Sequence, residues 1–200
     1  ALTEVVIPEG IVSIGASAFA NCVSLESVAF PSTLEYIDQG VFASCAKLVQ
    51  VILPDSLRII GDGAFSQCNK LVKIDIPTNV VYIGVSAFEG TRWLRNSDEE
   101  FIVAGDGVLV QYNGSSANIV IPETVKRIPD YRFADVTAEI STITIPSSVK
   151  YISKEAFAKL VSSSDSASYQ MRYLTIIGRK GSYAETFADH EYYTFRELGK

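Results

Sequence analysis

Apolar residues recur along this chain at fixed distances from a proline, and polar residues fill most of the positions between them. The pattern returns every 23 residues over the first 88 residues and resumes twice after an interruption. A phenylalanine follows eleven residues after each of the prolines that anchor the pattern, which are Pro8, Pro31, Pro54, Pro77, Pro122 and Pro146. A strict period over six units is typical of a stacked-repeat protein, in which each unit covers the apolar face of its neighbour.

Each repeat predicts two short strands and one turn. The residues before the proline are apolar and mostly β-branched at alternate positions, as with Ile119 and Ile121 before Pro122, which indicates a half-buried strand that the proline ends. A second extended segment follows, as at residues 34–37, and then a glycine or aspartate leads into a helical turn carrying Ala-Phe-x-x-Cys. The pattern therefore predicts a β-rich solenoid of about eight 23-residue coils with short parallel strands.

One irregular segment interrupts the period, because Pro77 and Pro122 are 45 residues apart, one short of two periods. Two apolar stretches in residues 101–112 flank Gly105-Asp106-Gly107, which predicts a β-hairpin insertion with a tight turn. We expect a single domain made of regular repeats at 1–95, the insertion at 96–116, two further repeats at 117–161 and a capping unit at 162–200.

The last forty residues differ from the repeats and predict a closing unit. A polar, flexible connection at 162–169 leads to a strand at 174–178, a capping box of Ser182 and Glu185, a helix near 183–190 and a strand at 192–198. Such a unit would cover the end of the stack, whose unpaired backbone would otherwise recruit another chain. Leu2 and Val5 have no equivalent cover, so we expect them at an open edge from which upstream repeats or a domain have been removed.

Charge argues against nucleic acid as a partner, and hydropathy argues against a membrane-spanning segment. The formal charge of −6, the pI near 4.9 and the absence of a Lys/Arg cluster argue against nucleic acid, whose backbone is bound through basic side chains. The mean hydropathy is +0.20, and no run approaches the roughly 18 apolar residues of a membrane span. We therefore expect a folded chain without a transmembrane segment.

Few residues offer chemistry. Cys22, Cys45 and Cys68 share one register, and Thr91, Val136 and Leu160 replace them in later repeats, which favours buried reduced thiols over disulfides or zinc. The consecutive acids within residues 96–100 favour a solvated loop over a calcium site. His190, the only histidine, is interpreted as a surface residue. We predict no catalytic residue, no metal and no cofactor.

The consensus L-x-x-V/I-x-I/L-P-x-x-L/V-x-x-I-G-x-x-A-F-x-x-C closely resembles the BspA-type leucine-rich repeat. The resemblance covers residues 2–88 and, with losses such as Pro129 and Ser153 at glycine positions, residues 117–161. It implies a leucine-rich-repeat stack on a bacterial or protist surface protein, extracellular or at the cell surface, in a family with members linked to adhesion to host matrix or other cells.

One row of residues is a candidate for partner binding. Five positions after the proline, between two inward apolar residues, the side chains should point outward and stack along one face. The candidate residues in this row are Tyr36, Ile59, Tyr82, Arg127 and Tyr151, and Ser13 precedes them. Exposed tyrosines are good contact residues, although the same row can also be a cross-strand ladder that only favours β structure.

We therefore expect a non-enzymatic binding or adhesion module that recognises a protein or glycan on host or neighbouring cells. The alternative is a structural spacer that displays other domains and has no ligand of its own.

Overall fold

The computed structural model describes residues 2–134, 136, 139–159, 169–170 and 174–199. The chain divides into two compact units. Unit 1 comprises Ala1–Asp98 with Ala104–Asp106, and unit 2 comprises Glu99–Val103 with Gly107–Lys200. That the two units behave as one folding domain stays a prediction. The polar connection at 162–168 and Leu160 lie outside the described residues.

Unit 1 consists of four coils with two strands each, followed by a short helix. In chain order its elements are β1 (Glu4–Val6), β2 (Ser13–Ile14), β3 (Ser27–Ala29), β4 (Tyr36–Ile37), β5 (Gln50–Ile52), β6 (Ile59–Ile60), β7 (Lys73–Asp75), β8 (Tyr82–Ile83) and α1 (Arg92–Arg95).

Unit 2 holds the insertion, two further coils and the C-terminal segment. Its elements are β9 (Phe101–Ala104, of which Ala104 counts with unit 1), β10 (Val108–Tyr112), β11 (Asn118–Val120), β12 (Arg127–Ile128), β13 (Thr142–Thr144), β14 (Tyr151–Ile152), β15 (Ala158–Lys159), β16 (Tyr169–Gln170), β17 (Thr175–Gly178), α2 (Tyr183–His190) and β18 (Thr194–Glu197).

Successive coils stack as parallel strands, and in unit 1 the paired residues are one 23-residue period apart. In unit 1, β2, β4, β6 and β8 form one four-stranded sheet, with Ile14, Ile37, Ile60 and Ile83 in the same row. In unit 2, β11, β13, β17 and β18 form another parallel sheet in that order. The predicted solenoid with its 23-residue period is confirmed.

A column of aromatic rings runs through the centre of each stack. In unit 1 the rings of Phe19, Phe42, Phe65 and Phe88 are nearly parallel, with centroids 5.4, 5.3 and 5.6 Å apart. In unit 2, Tyr112, Phe133 and Phe157 continue the motif at 5.4 Å per step. Because one ring per coil falls at the same place, each phenylalanine inside a column is covered from both sides by its neighbours.

A β-turn begins at each anchoring proline, and several of these turns carry a hydroxyl group that bonds to the preceding coil. The carbonyl of Pro54 accepts a hydrogen bond from the N–H of Leu57 at 3.0 Å, and the other anchoring prolines do the same three residues on. Hydroxyl groups two residues after the proline bond to the preceding coil. They are Thr33 Oγ1 to the Ile11 carbonyl at 2.8 Å, Ser56 Oγ to Leu34 at 2.6 Å and Ser148 Oγ to Val125 at 2.9 Å. The polar turn thus adds an inter-coil contact that was not predicted from the sequence.

The Ala-Phe segment forms consecutive tight turns, because left-handed residues interrupt any helix. Position nine after the proline has positive φ in Ser17, Gly40, Gly63, Ser86 and Tyr131. Position thirteen does so in Asn21, Ser44, Gln67 and Gly90. Left-handed backbone cannot continue a right-handed helix. The backbone between these positions instead bonds to the next coil, as in Phe42 N–H to the Ala64 carbonyl at 2.8 Å.

Thr91 occupies the cysteine register and ends the regular repeats of unit 1. It is fully buried, its hydroxyl donates to the Phe88 carbonyl at 2.7 Å, and its oxygen accepts the Leu94 N–H at 3.3 Å as the N-cap of α1. Trp93 on that helix packs edge-on against Phe88, with centroids 5.0 Å apart. A helix that was not predicted from the sequence thus covers the last ring of the column.

The insertion is a hairpin, as predicted. The strands β9 and β10 are hydrogen-bonded neighbours joined by residues 105–107, with Gly105 and Gly107 at φ of 58° and 67°. The strand β10 also pairs in parallel with β12 through Val108 and Arg127. In the sheet that contains β12 and β14, β10 therefore takes the position that the second strand of a regular coil would occupy.

The C-terminal segment covers Phe157. Helix α2 spans Tyr183–His190, and Phe187 on it lies 5.8 Å from the Phe157 ring, edge-on. The predicted capping box of Ser182 and Glu185 does not form. Glu185 Oε2 accepts the N–H of Gly181 at 2.6 Å, one residue before the N-cap Ser182, and the Ser182 side chain makes no capping hydrogen bond. The strand β18 pairs with β17 and extends the sheet.

The first coil is less enclosed than those that follow. The strand β1 lies at the edge of its sheet, Leu2 is exposed, Val5 is half-buried and Phe19 is half-buried, whereas Phe42 and Phe65 are fully buried. Phe19 therefore offers an internal comparison for the cost of losing a ring.

Replacing Phe65 with alanine should lower the free energy of unfolding by about 3–5 kcal/mol, because the change leaves a cavity between two stacked rings. Phe19→Ala removes a ring that is covered on one side and should cost less. Urea unfolding followed by circular dichroism measures both variants. Equal losses would contradict the assignment of the ring column as the core.

Replacing Ser86 with glycine should stabilise the protein by up to about 1 kcal/mol, because its φ of 53° strains a side chain that glycine lacks. The matched control is Ser66→Gly, since Ser66 is not among the residues of positive φ and should lose about 0.5–1 kcal/mol. Thermal and urea unfolding give both values. Destabilisation by both substitutions would show that the left-handed position carries no strain.

Candidate partner-binding surface

In unit 1 the predicted outward row forms one continuous line across four strands. Ser13, Tyr36, Ile59 and Tyr82 are paired in register through β2, β4, β6 and β8. Tyr36 and Tyr82 are 40% and 37% exposed, and Ile59 between them is half-buried. Two exposed aromatic side chains therefore flank a half-buried apolar side chain on the surface of the sheet.

Carboxylates lie at one end of these strands. Asp38 and Asp62 are exposed, and both are held by backbone groups. Asp38 Oδ1 accepts the Gln39 N–H at 2.7 Å, and Asp62 Oδ1 accepts the Val85 N–H of the next coil at 2.8 Å. The Tyr82 hydroxyl reaches back to Asp62 Oδ1 at 3.5 Å. The hydrogen bonds place both negative charges beside the tyrosine row.

The opposite ends of β4 and β6 carry one acidic and one basic side chain. Glu35 precedes Tyr36 and is half-buried, and Arg58 precedes Ile59 and is exposed. Together with Asp38 and Asp62, this surface of unit 1 has three carboxylates and one guanidinium. Its net charge agrees in sign with the whole unit, which has eleven acidic and six basic residues.

Unit 2 holds the other two candidate residues in its own sheet. Arg127 and Tyr151 are paired in register through β12 and β14, and Val108 of β10 precedes Arg127. Tyr151 is exposed to the same degree as Tyr36, whereas Arg127 is half-buried and its Nε atom is buried without a hydrogen-bond partner. The outward orientation is thus confirmed for the three tyrosines, and the two rows belong to different units.

Unit 1 has a second apolar row that was not predicted from the sequence. Two positions before the proline, Val6 is 69% and Ile52 is 63% exposed, with Ala29 between them in sequence and paired with Val6. Asp75 pairs with Ile52 and ends the row. The alternation of the strand could have predicted this row, because the position two residues before the proline lies between two positions whose side chains point inward.

The three cysteines are reduced thiols, and two of them are fully buried. Cys45 Sγ donates to the Phe19 carbonyl at 3.3 Å, and Cys68 Sγ donates to the Phe42 carbonyl at 3.1 Å. The hydrogen bond with Cys45, together with burial, raises the pKa of the Cys68 thiol. Cys22 in the first coil is only partly buried. These contacts suit a structural role, since a protonated buried thiol is a poor nucleophile.

Within the described ranges of the chain, no group of three or more His, Cys, Asp or Glu side chains could hold a metal ion. His190 is exposed at the end of α2. None of the helices in the described part of the chain is both long and apolar enough to cross a membrane.

A comparison with protein-family models finds a match over most of the chain. The model of the BspA type leucine-rich repeat region matches residues 1–99 and 110–180, in six copies. No curated protein matches the chain at a significant level.

Several solved structures resemble parts of the chain. A leucine-rich repeat protein from Bacteroides ovatus is 26% identical with a TM-score of 0.49, over 88% of this chain and 37% of its own length. A leucine-rich cell surface protein from Faecalibacterium prausnitzii is 23% identical, with a TM-score of 0.35, over 76% of this chain and 56% of its own. A leucine-rich repeat protein from T. pallidum is 22% identical, with a TM-score of 0.42, over 76% and 69%. The chain therefore spans less than two thirds of the first two proteins.

Only Cys22 should react with a thiol reagent such as DTNB in the folded protein, because Cys45 and Cys68 are fully buried and bonded to carbonyl oxygens. The expected result is release of one equivalent of thionitrobenzoate in buffer and three equivalents in denaturant. Cys22→Ala is the control and should abolish the reaction in buffer. Rapid reaction of the remaining two thiols in that variant would contradict the buried ladder.

Proposed function

The chain belongs to the family of BspA type leucine-rich repeat proteins, and from this premise we propose that it is a non-enzymatic binding module at a cell surface or outside the cell. Its partner is a protein or a glycan on a host or neighbouring cell. The location is the one that the resemblance of its repeats implies, and the Faecalibacterium protein is itself described as a cell surface protein.

The observation that carries the proposal is the pair of exposed tyrosines in unit 1. Tyr36 and Tyr82 present ring area on a rigid sheet, where their backbone positions are fixed by register. Tyrosine gives a large contact at little cost in conformational entropy and is common among residues that dominate binding energy. A rigid row of this kind is suited to recognition, because little ordering is needed when a partner binds.

The absence of catalysis is also part of the proposal. A reaction needs titratable groups that converge in a concave site. In unit 1 the carboxylates beside the tyrosines are exposed and bonded to backbone N–H groups, and the two enclosed thiols are bonded to carbonyl oxygens. These groups are held by the repeat itself and support a surface that binds.

Tyr36→Ala combined with Tyr82→Ala should weaken binding to the partner at least about tenfold, because a central aromatic contact is worth about 1.4 kcal/mol or more. The purified protein is applied to immobilised matrix proteins and to a glycan array. Arg127→Ala with Tyr151→Ala tests the row of unit 2 separately in the same assays.

The matched control is Tyr183→Ala, which removes a tyrosine of similar exposure (38%) from α2. It should leave binding unchanged. Circular dichroism and urea unfolding check that every variant folds. Lack of binding by the unchanged protein, with a loss of stability in the tyrosine variants, would overturn the proposal and favour a spacer whose tyrosines serve only as a cross-strand ladder.

A further inference from the structure

The spacing of Tyr36 and Tyr82 follows from the fold and selects a shape of partner. The two residues are two coils apart in one sheet, with Ile59 in register between them. Hydrogen-bonded strands are about 4.8 Å apart, so the backbone positions of the two tyrosines repeat at about 9.6 Å along the stack. A ligand that uses both rings equally must present matching groups at that distance along its own axis.

We propose that the Tyr36–Ile59–Tyr82 row binds a proline-rich protein segment in the polyproline II conformation, lying across the strands and parallel to the stack. This inference rests on the proposed function and specifies its partner. A polyproline II helix has three residues per turn and rises about 3.1 Å per residue, so residues i and i+3 are about 9.3 Å apart on the same side. That repeat matches two coil spacings within a few tenths of an ångström.

Other backbone conformations fit the row less well. Same-face residues of an extended strand recur at about 6.7 Å and 13 Å, and neither distance is close to 9.6 Å. An α-helix presents residues i and i+7 at about 10.5 Å, which is about 1 Å too long. The register fixes the backbone positions of the row, so a ligand whose repeat is closer to two strand spacings needs less adjustment of the tyrosine side chains.

The side chains of the row suit proline. Tyr36 and Tyr82 are exposed and the apolar Ile59 between them is half-buried, so the row combines two rings with an apolar side chain. Proline-rich segments are recognised in other proteins by aromatic side chains that receive the pyrrolidine rings. The segment loses little entropy on binding because it is already extended, and its carbonyl groups have no internal hydrogen bonds and can accept from the Tyr36 hydroxyl, whereas the Tyr82 hydroxyl reaches Asp62.

The charges beside the row favour a basic residue near the prolines. Asp38 and Asp62 are exposed at the same ends of successive strands, and their carboxylates are held in place by the Gln39 and Val85 N–H groups. A lysine or arginine placed next to the proline pair would meet both negative charges. Complementary charge of this kind fixes the direction of a peptide more than its affinity.

The test uses the whole chain and three fluorescent peptides in an anisotropy titration. The first is one lysine followed by three Pro-Pro-Ala triplets, the second has alanine in place of each proline, and the third has alanine in place of the lysine. The first peptide should bind with a Kd below about 1 mM, and the second should bind at least about tenfold more weakly.

Two variants test the spacing and the charge. Ile59→Tyr combined with Tyr82→Ser keeps two tyrosines but moves them to adjacent coils, about 4.8 Å apart, and should lose at least about tenfold in affinity. Asp38→Asn with Asp62→Asn keeps the oxygens that accept the backbone N–H groups. It should weaken the lysine peptide severalfold and leave the lysine-free peptide unchanged. Tyr183→Ala again serves as the control and should bind like the unchanged protein.

Three outcomes would contradict the spacing argument, this inference alone, or this inference together with the proposed function. Equal binding by the protein with adjacent tyrosines would overturn the spacing argument. Failure of the proline peptides, together with tyrosine-dependent binding to a glycan or a globular matrix protein, would overturn this inference and leave the proposed function standing. Failure of the peptides, glycans and matrix proteins alike would overturn both.

Discussion

The stacking of each coil directly on the next is the constraint from which the other features of this structure follow. A single coil has two or three residues in each strand and one phenylalanine, which is too little to bury an apolar face alone. Stacking satisfies the backbone through parallel pairing and encloses the ring column, with centroids between 5.3 and 5.6 Å apart in unit 1. A side chain at one position of the repeat must therefore fit the same position of its neighbours, which explains why the inward positions vary so little along the chain.

At the last ring of each column, segments that depart from the repeat cover the ring. Thr91 replaces a cysteine and starts a short helix whose Trp93 covers Phe88. In unit 2, α2 covers Phe157 with Phe187, and β17 and β18 continue the sheet. A ring left uncovered at the end of a column exposes apolar area to water, and these two column ends are covered. The two covers are unrelated in sequence, since any well-packed apolar side chain can provide this cover.

The outward positions are free of the packing constraint and can vary with function. In unit 1 the row after the proline is rich in tyrosine, and the row before it has valine and isoleucine at two of its first three positions. The stack imposes a spacing of about 4.8 Å on any such row. The outward rows of unit 1 therefore repeat at the spacing of the strands.

Local patterning was enough to predict the period, the parallel strands, the phenylalanine column, the hairpin at residues 101–112 and the position of α2, because one repeat or one short segment already contains each signal. Strand alternation also placed Tyr36, Tyr82 and Tyr151 on the outside. The left-handed backbone at Ser17 and Ser86, the helix after Thr91 and the unused hydroxyl of Ser182 emerged only in three dimensions. The physical reason is that these features depend on contacts between coils: a serine takes a left-handed conformation, and a threonine becomes a helix cap, only when the neighbouring coil fixes the backbone around it.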